Sequence, residues 1–133
     1  MPLTLANGEV IYNVTSHDLS VWDDNERRMY WVQSDGVVNA RTDSELLEKH
    51  NNFIVVRMSY KPTVEGRLLI ERIKRECPKA LILGSVIAAQ AYPGEVFAPT
   101  PVKYDRLNPN KRYNAVHSNR FSSFHTPKET QNG

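Results

Sequence analysis

A single cysteine, Cys77, in 133 residues leaves no internal disulfide, so any stable fold must rest on a packed core. No apolar run approaches the roughly 18 residues of a membrane-spanning helix. The N-terminus, with Glu9 and no basic leader before an apolar block, does not read as a secretory signal. A soluble protein of the cytoplasm is therefore expected, with no membrane partner. Zinc motifs are missing too: there is no His-Glu-x-x-His and no cysteine pair, so neither metal nor cofactor is predicted. The paired His-x-Ser/Thr signature of small cyclic-nucleotide phosphoesterases is also lacking, because His117-Ser118-Asn119 and His125-Thr126-Pro127 each place the hydroxyl one position early. Cys77 falls at the end of a predicted helix, where the dipole disfavours a thiolate nucleophile. No acid, base and nucleophile assemble, which favours a binding protein over an enzyme.

Net charge is only +2, yet it is unevenly spread. Residues 1–50 hold four basic against nine acidic side chains, residues 51–100 seven against four, and residues 101–133 six against two. The basic excess is too small for a protein that coats duplex nucleic acid, and an acidic and a basic half suit self-association into a homo-oligomer.

Local patterns predict an α+β fold, a mostly antiparallel sheet of hairpins with two or three short helices, in one domain over residues 1–126 with a mobile tail over 127–133. The N-terminal third reads as an antiparallel meander: Glu9–Val14, then Asp18–Trp22 and Arg28–Val32 about a turn at Asp23–Glu26. Thr42-Asp43-Ser44-Glu45 has capping-box spacing and predicts a short helix through Lys49. Asn52–Met58 is the most apolar strand candidate and is expected to be central. Thr63 should cap a helix carrying Leu68, Leu69, Ile70 and Ile73, ended by Cys77-Pro78. Glu95–Ala98 reads as another strand, and residues 102–106 and 113–121 as a closing hairpin.

The most informative stretch is Ala80–Ala91. Four apolar residues suit a buried strand, Gly84 breaks the run, and Ser85 can cap the helix that follows. Such a joint aims unpaired N–H groups at one point and is a ready site for phosphate or carboxylate, although many such joints hold no ligand. The closing hairpin interleaves Lys103, Tyr104, Arg106, Lys111, Arg112, Tyr113, His117, Arg120, Phe121 and Phe124. Arginine forks two hydrogen bonds to phosphate and an aromatic stacks on a base; equally, these residues suit a solvated edge hairpin. Ser16-His17-Asp18 is not a catalytic triad, because contiguous strand residues face opposite sides. His17 reads as a hydrogen-bonded structural histidine or a rim contact.

Ile11-Tyr12-Asn13-Val14-Thr15-Ser16-His17-Asp18-Leu19 and Gly84–Ala91 together resemble a pattern of small phage proteins. These open with Asn-Leu-Thr-x-His-x-Leu and carry a later Ser-x-(Ile/Val)-x-Ala-Gln-Ala, a Val/Phe-x-(Ala/Val)-Pro turn and an arginine beside an aromatic. The chain matches at Asn13, Thr15, His17 and Leu19, at Ser85, Ala89, Gln90 and Ala91, at Val96–Pro99 and at Arg120-Phe121; Val14 stands where leucine is commoner. In plan it is similar to the phage anti-Thoeris proteins, oligomeric sponges for cyclic ADP-ribose isomers that leave the ligand intact. The resemblance implies a nucleotide-messenger binder acting against host immunity. On that reading the N–H groups after Gly84 and Ser85 face a phosphate, and Phe97 or Tyr104 stacks on the base. Arg106, Arg112 and Arg120 meet the pyrophosphate, while Asn13 and Gln90 orient sugar hydroxyls beside His17. Two rivals are a protein inhibitor using the acidic N-terminal face and a phosphodiesterase that degrades the messenger.

Overall fold

The computed structural model describes residues 2–101 and 115–124. In chain order the elements are β1 (Leu3–Thr4), β2 (Val10–Asn13), β3 (Leu19–Asp23), β4 (Arg28–Val32), β5 (Ala40–Lys49), β6 (Ile54–Pro62), α1 (Val64–Glu76), β7 (Leu81–Leu83), α2 (Val86–Ala91), β8 (Ala98–Pro101) and β9 (Ala115–Ser122). The architecture is α+β with mostly antiparallel strand pairs. Strands β1, β2 and β7 form one sheet; β4, β3, β9 and β8 form a second; β5 and β6 form a separate two-stranded ribbon.

Alternation along the short inner strands explains the layering. Ile11 and Leu83 face one way, into a cluster with Val21, Val32 and Val116 of the second sheet. Their neighbours Tyr12 and Ile82 face the other way, into a cluster with Ile70 and Ile73 of α1 and Ala88, Ala89 and Tyr92 around α2. Both faces of the β1-β2-β7 sheet are thus buried, which suits the near-continuous apolar runs of β2 and β7.

The helices start where their caps dictate. The Thr63 hydroxyl accepts from Gly66 N–H at 2.9 Å, and the Ser85 hydroxyl accepts from Ala88 N–H at 3.0 Å. Tyr92, fully buried at the end of α2, ties the two helices together: its hydroxyl accepts from Thr63 N–H at 2.9 Å and donates to the Thr63 carbonyl at 3.2 Å. That phenol packs directly over Gly66, where any Cβ would meet it.

Glu95 joins the same region from outside, accepting from Arg67 Nη1 at 2.8 and 2.9 Å and from Lys74 Nζ at 2.5 Å. Burial pushes its carboxyl pKa up, but the hydrogen bonds from Lys74 and Arg67 outweigh this and hold it below the ordinary carboxylate range. A depressed acid pKa contributes stability above the unfolded-state value of about 4.3, and that contribution is lost as pH falls through the folded-state value. We predict that Glu95→Gln costs about 1 kcal/mol at neutral pH and that the deficit closes in acid. Urea titrations of both proteins across that range check it, and a pH-independent gap would contradict it.

Four expectations are corrected. Residues 42–49 form strand, not helix: Thr42 pairs with Tyr60, Ser44 with Met58 and Leu46 with Val56, and cross-strand bonding outweighs a local cap. The apolar run 52–58 is not central, since most of β6 is exposed on the ribbon. The N-terminal third is not one meander: β2 runs parallel to β7, and β3 pairs with β4 and, in parallel, with β9. The strand expected at Glu95–Ala98 begins only at Ala98, and Phe97 makes a single bridge to Leu83. The first arm of the closing hairpin (102–106), its turn and the tail 127–133 lie outside the described residues. No helix among the described residues is long and apolar enough to cross a membrane.

Candidate functional site

Asn13, the last residue of β2, is completely buried, so both ends of its amide need partners. Nδ2 donates to the carbonyls of His17 at 2.7 Å and Val32 at 3.0 Å. Oδ1 accepts from the backbone N–H of Thr15 at 2.9 Å and lies 2.6 Å from the Thr15 hydroxyl. That hydroxyl also lies 2.8 Å from the His17 carbonyl; its single proton serves one oxygen at a time. The Asn-x-Thr-x-His spacing is therefore a folding device. Asn13 and Thr15 tie the chain into a tight loop, and the loop carries Ser16 and His17 outward, both exposed.

Residues 34–39 lie against this loop. Ser34 Oγ donates to the Thr15 carbonyl at 2.5 Å, Ser34 N–H to Asp18 Oδ1 at 3.2 Å, and Asp35 N–H to the Asn13 carbonyl at 2.8 Å. Val38 N–H donates to the Val14 carbonyl at 3.0 Å. On the other side, Val14 N–H donates to the Leu83 carbonyl at 2.8 Å, which brings the β7–α2 joint alongside.

These three segments enclose an open recess of about 480 Å³. Its walls are Val14–His17 with Leu19, then Val37–Asn39, then Gly84, Ser85 and Val86, with Pro99 of β8 closing the side. The volume falls in the ordinary range for small-molecule sites, and a mostly apolar wall with a few polar groups is their usual make-up. Among the described residues lining it, His17 is the only titratable side chain.

Of the residues singled out from sequence, His17, Gly84 and Ser85 line this recess together. Asn13 does not; its amide is engaged inside the loop, so its role is corrected from sugar contact to scaffold. Gly84 lines the wall, but its N–H donates to the Phe97 carbonyl at 3.0 Å and does not face a ligand. Ser85 Oγ caps α2, leaving the first-turn N–H groups of Val86 and Ile87 without intrahelical acceptors. Phe97 packs beside the cluster of Ile11 and Leu83 and Gln90 is exposed on α2; neither is part of the lining. Arg120 is exposed on β9 and also lies outside it. Tyr104, Arg106 and Arg112 are outside the described residues. Ser16 and Pro99 belong to the matched stretches but were given no role, and Val37, Val38 and Asn39 were missed, since nothing local in residues 37–39 marks them as a wall. No group of His, Cys, Asp and Glu among the described residues could hold a metal ion.

In comparisons with family models, curated proteins and solved structures, nothing matches this chain.

Proposed function

We propose that the chain is a sequestering protein that holds a small nucleotide-derived messenger in this recess and releases it unaltered, a cyclic ADP-ribose isomer being the first candidate. The observation that carries the reading is convergence. Thr15, His17 and Leu19, Ser85 and Pro99 come from three separated stretches of the anti-Thoeris-like pattern, and all line one cavity. A ligand of this class has ring faces for the exposed side chains of Val37 and Val86, and hydroxyls for Ser16 and Asn39. His17 and the Ser85 hydroxyl are polar lining groups available to its phosphates. Arg106 and Arg112 are the remaining candidates for the pyrophosphate charge. Among the described lining residues His17 is the one titratable side chain, and acid–base catalysis calls for a partnered set, so the reading is capture and not hydrolysis. Capture then depends on several preformed, desolvated contacts of about 1 kcal/mol each.

The experiment is uptake followed by recovery. Purified protein is incubated with the cyclic ADP-ribose isomer, separated from free ligand and heat-denatured, and the released material is analysed by mass and chromatography. Intact ligand at near-stoichiometric yield is expected. Altered ligand would mean a phosphodiesterase, and no uptake would leave the protein-inhibitor reading.

A further inference from the structure

A second, smaller recess of about 350 Å³ opens where β2 and β7 begin; the larger one lies where they end, at Val14 and Gly84. Its volume is at the lower end of the range for small-molecule sites. Ile11 and Leu81 are partners in the β2–β7 pair, and both join the cluster between the two larger sheets, as does Phe121 of β9. Ile11 is buried, whereas Leu81 and Phe121 are half-buried and border the opening. Glu9 and Lys79, each two residues ahead of that pair, are exposed and border it as well. Both are held by turns. Glu9 N–H donates to Asn7 Oδ1 at 3.0 Å, its carbonyl accepts from Leu5 N–H at 2.8 Å, and its Oε1 accepts from Asn7 Nδ2 at 3.0 Å. Lys79 sits in the turn that Ala80 N–H closes on the Cys77 carbonyl at 3.0 Å. Among the described residues the two charges do not pair with each other, and no carboxylate meets the Lys79 ammonium.

We propose that this crevice binds a free α-amino acid with a large apolar side chain. The side chain lies against Leu81 and Phe121, the α-carboxylate meets Lys79 and the α-ammonium meets Glu9. The two unpaired charges of opposite sign at one opening select a zwitterion, which satisfies both at once with charge-assisted hydrogen bonds. A phosphate ester would face the Glu9 carboxylate, a simple cation would face Lys79, and a neutral apolar molecule would use neither. The half-buried wall of Leu81 and Phe121 supplies the apolar contact that separates such a ligand from glycine. Because the turns fix the backbone of both charged residues, little ordering is left for the ligand to impose. The site is separate from the larger recess and stands independently of what that recess holds.

Titration of the ¹⁵N-labelled full chain with L-leucine, followed by amide chemical shifts, tests it. Saturable shifts at residues 9–11 and 79–81 are expected, with residues 15–17 and 84–86 of the larger recess unmoved. Leucinamide, which lacks the carboxylate, and N-acetyl-leucine, which lacks the ammonium, should each bind about tenfold more weakly or worse to the unaltered protein. Lys79→Met should abolish the advantage of leucine over leucinamide, and Glu9→Gln its advantage over N-acetyl-leucine. Absence of saturable shifts, shifts confined to the larger recess, or equal binding of leucine and its two derivatives would each overturn the proposal. The comparison of the three ligands uses unaltered protein and holds even if a variant fails to fold.

Discussion

Asn13→Ala is expected to lower folding stability by about 3 kcal/mol, because it leaves buried groups of Val32, His17 and Thr15 without their partners at about 1–3 kcal/mol per unsatisfied group, partly relaxed. The same change frees the Val14–His17 wall of the recess, so ligand uptake should fall even well below the melting temperature. Asn13→Asp separates geometry from hydrogen bonding. It keeps an acceptor for Thr15 but turns a carboxylate toward the carbonyls of His17 and Val32, which Nδ2 now satisfies. Its folded-state pKa should therefore be raised, making the variant least stable at neutral pH and relatively recovered as pH falls through that value. Urea denaturation of wild type and both variants at neutral and acid pH checks this. A loss under about 1 kcal/mol for Asn13→Ala would show that the loop does not depend on the amide.

Gly84→Ala should cost about 2 kcal/mol, within the usual range for overpacking a filled core. A Cβ there would stand 2.6 Å from Val96 Cγ1 and 3.3 Å from the Ala88 methyl, and Val96 is fully buried. The glycine is required for room at the strand–helix joint, since its amide already bonds the Phe97 carbonyl. Because the clash falls on one methyl, Val96→Ala should relieve it. The double variant is expected to be more stable than the sum of the two single losses by about 1 kcal/mol or more. Strict additivity in that cycle would mean that the β7–α2 joint widens and the close approach is not what constrains it.

The elements read correctly from sequence share one property: their signals are local. Thr63 and Ser85 cap helices through their own hydroxyls, and β3 turns into β4 across Asp23, whose Oδ1 accepts from Asn25 N–H at 2.9 Å. The failures involve partners distant in sequence or competing local signals. β2 finds its parallel neighbour β7 some seventy residues on, which no local alternation announces. Residues 42–49 carried two signals, a capping box and the alternation of Arg41, Asp43 and Glu45 with Thr42, Ser44 and Leu46; pairing with β6 selected the second. The apolar run at 53–58 looked like a central strand because hydrophobicity does not distinguish a core from an uncovered face.

The site was half legible for the same reason. Gly84-Ser85 and the Asn13–Leu19 stretch attracted attention separately, as a helix start and a resemblance, and the fold draws both to one recess. The roles within them were not legible. A polar residue in a motif could be a contact or a scaffold, and only burial assigns Asn13 to the second. Val38 reaches the wall through its backbone bond to Val14 and brings its neighbour Asn39 with it, which leaves no mark on composition.

Calorimetric titration of a cyclic ADP-ribose isomer into wild type and into Val86→Trp tests the central claim most directly. Val86 is exposed at the mouth of the recess, so an indole there should fill the cavity without disturbing the core or the melting temperature. Saturable binding to wild type, lost in the plugged protein and kept in Arg120→Ala, is the predicted result. Equal binding to wild type and Val86→Trp, or none to either, would contradict the assignment of this recess as the messenger site.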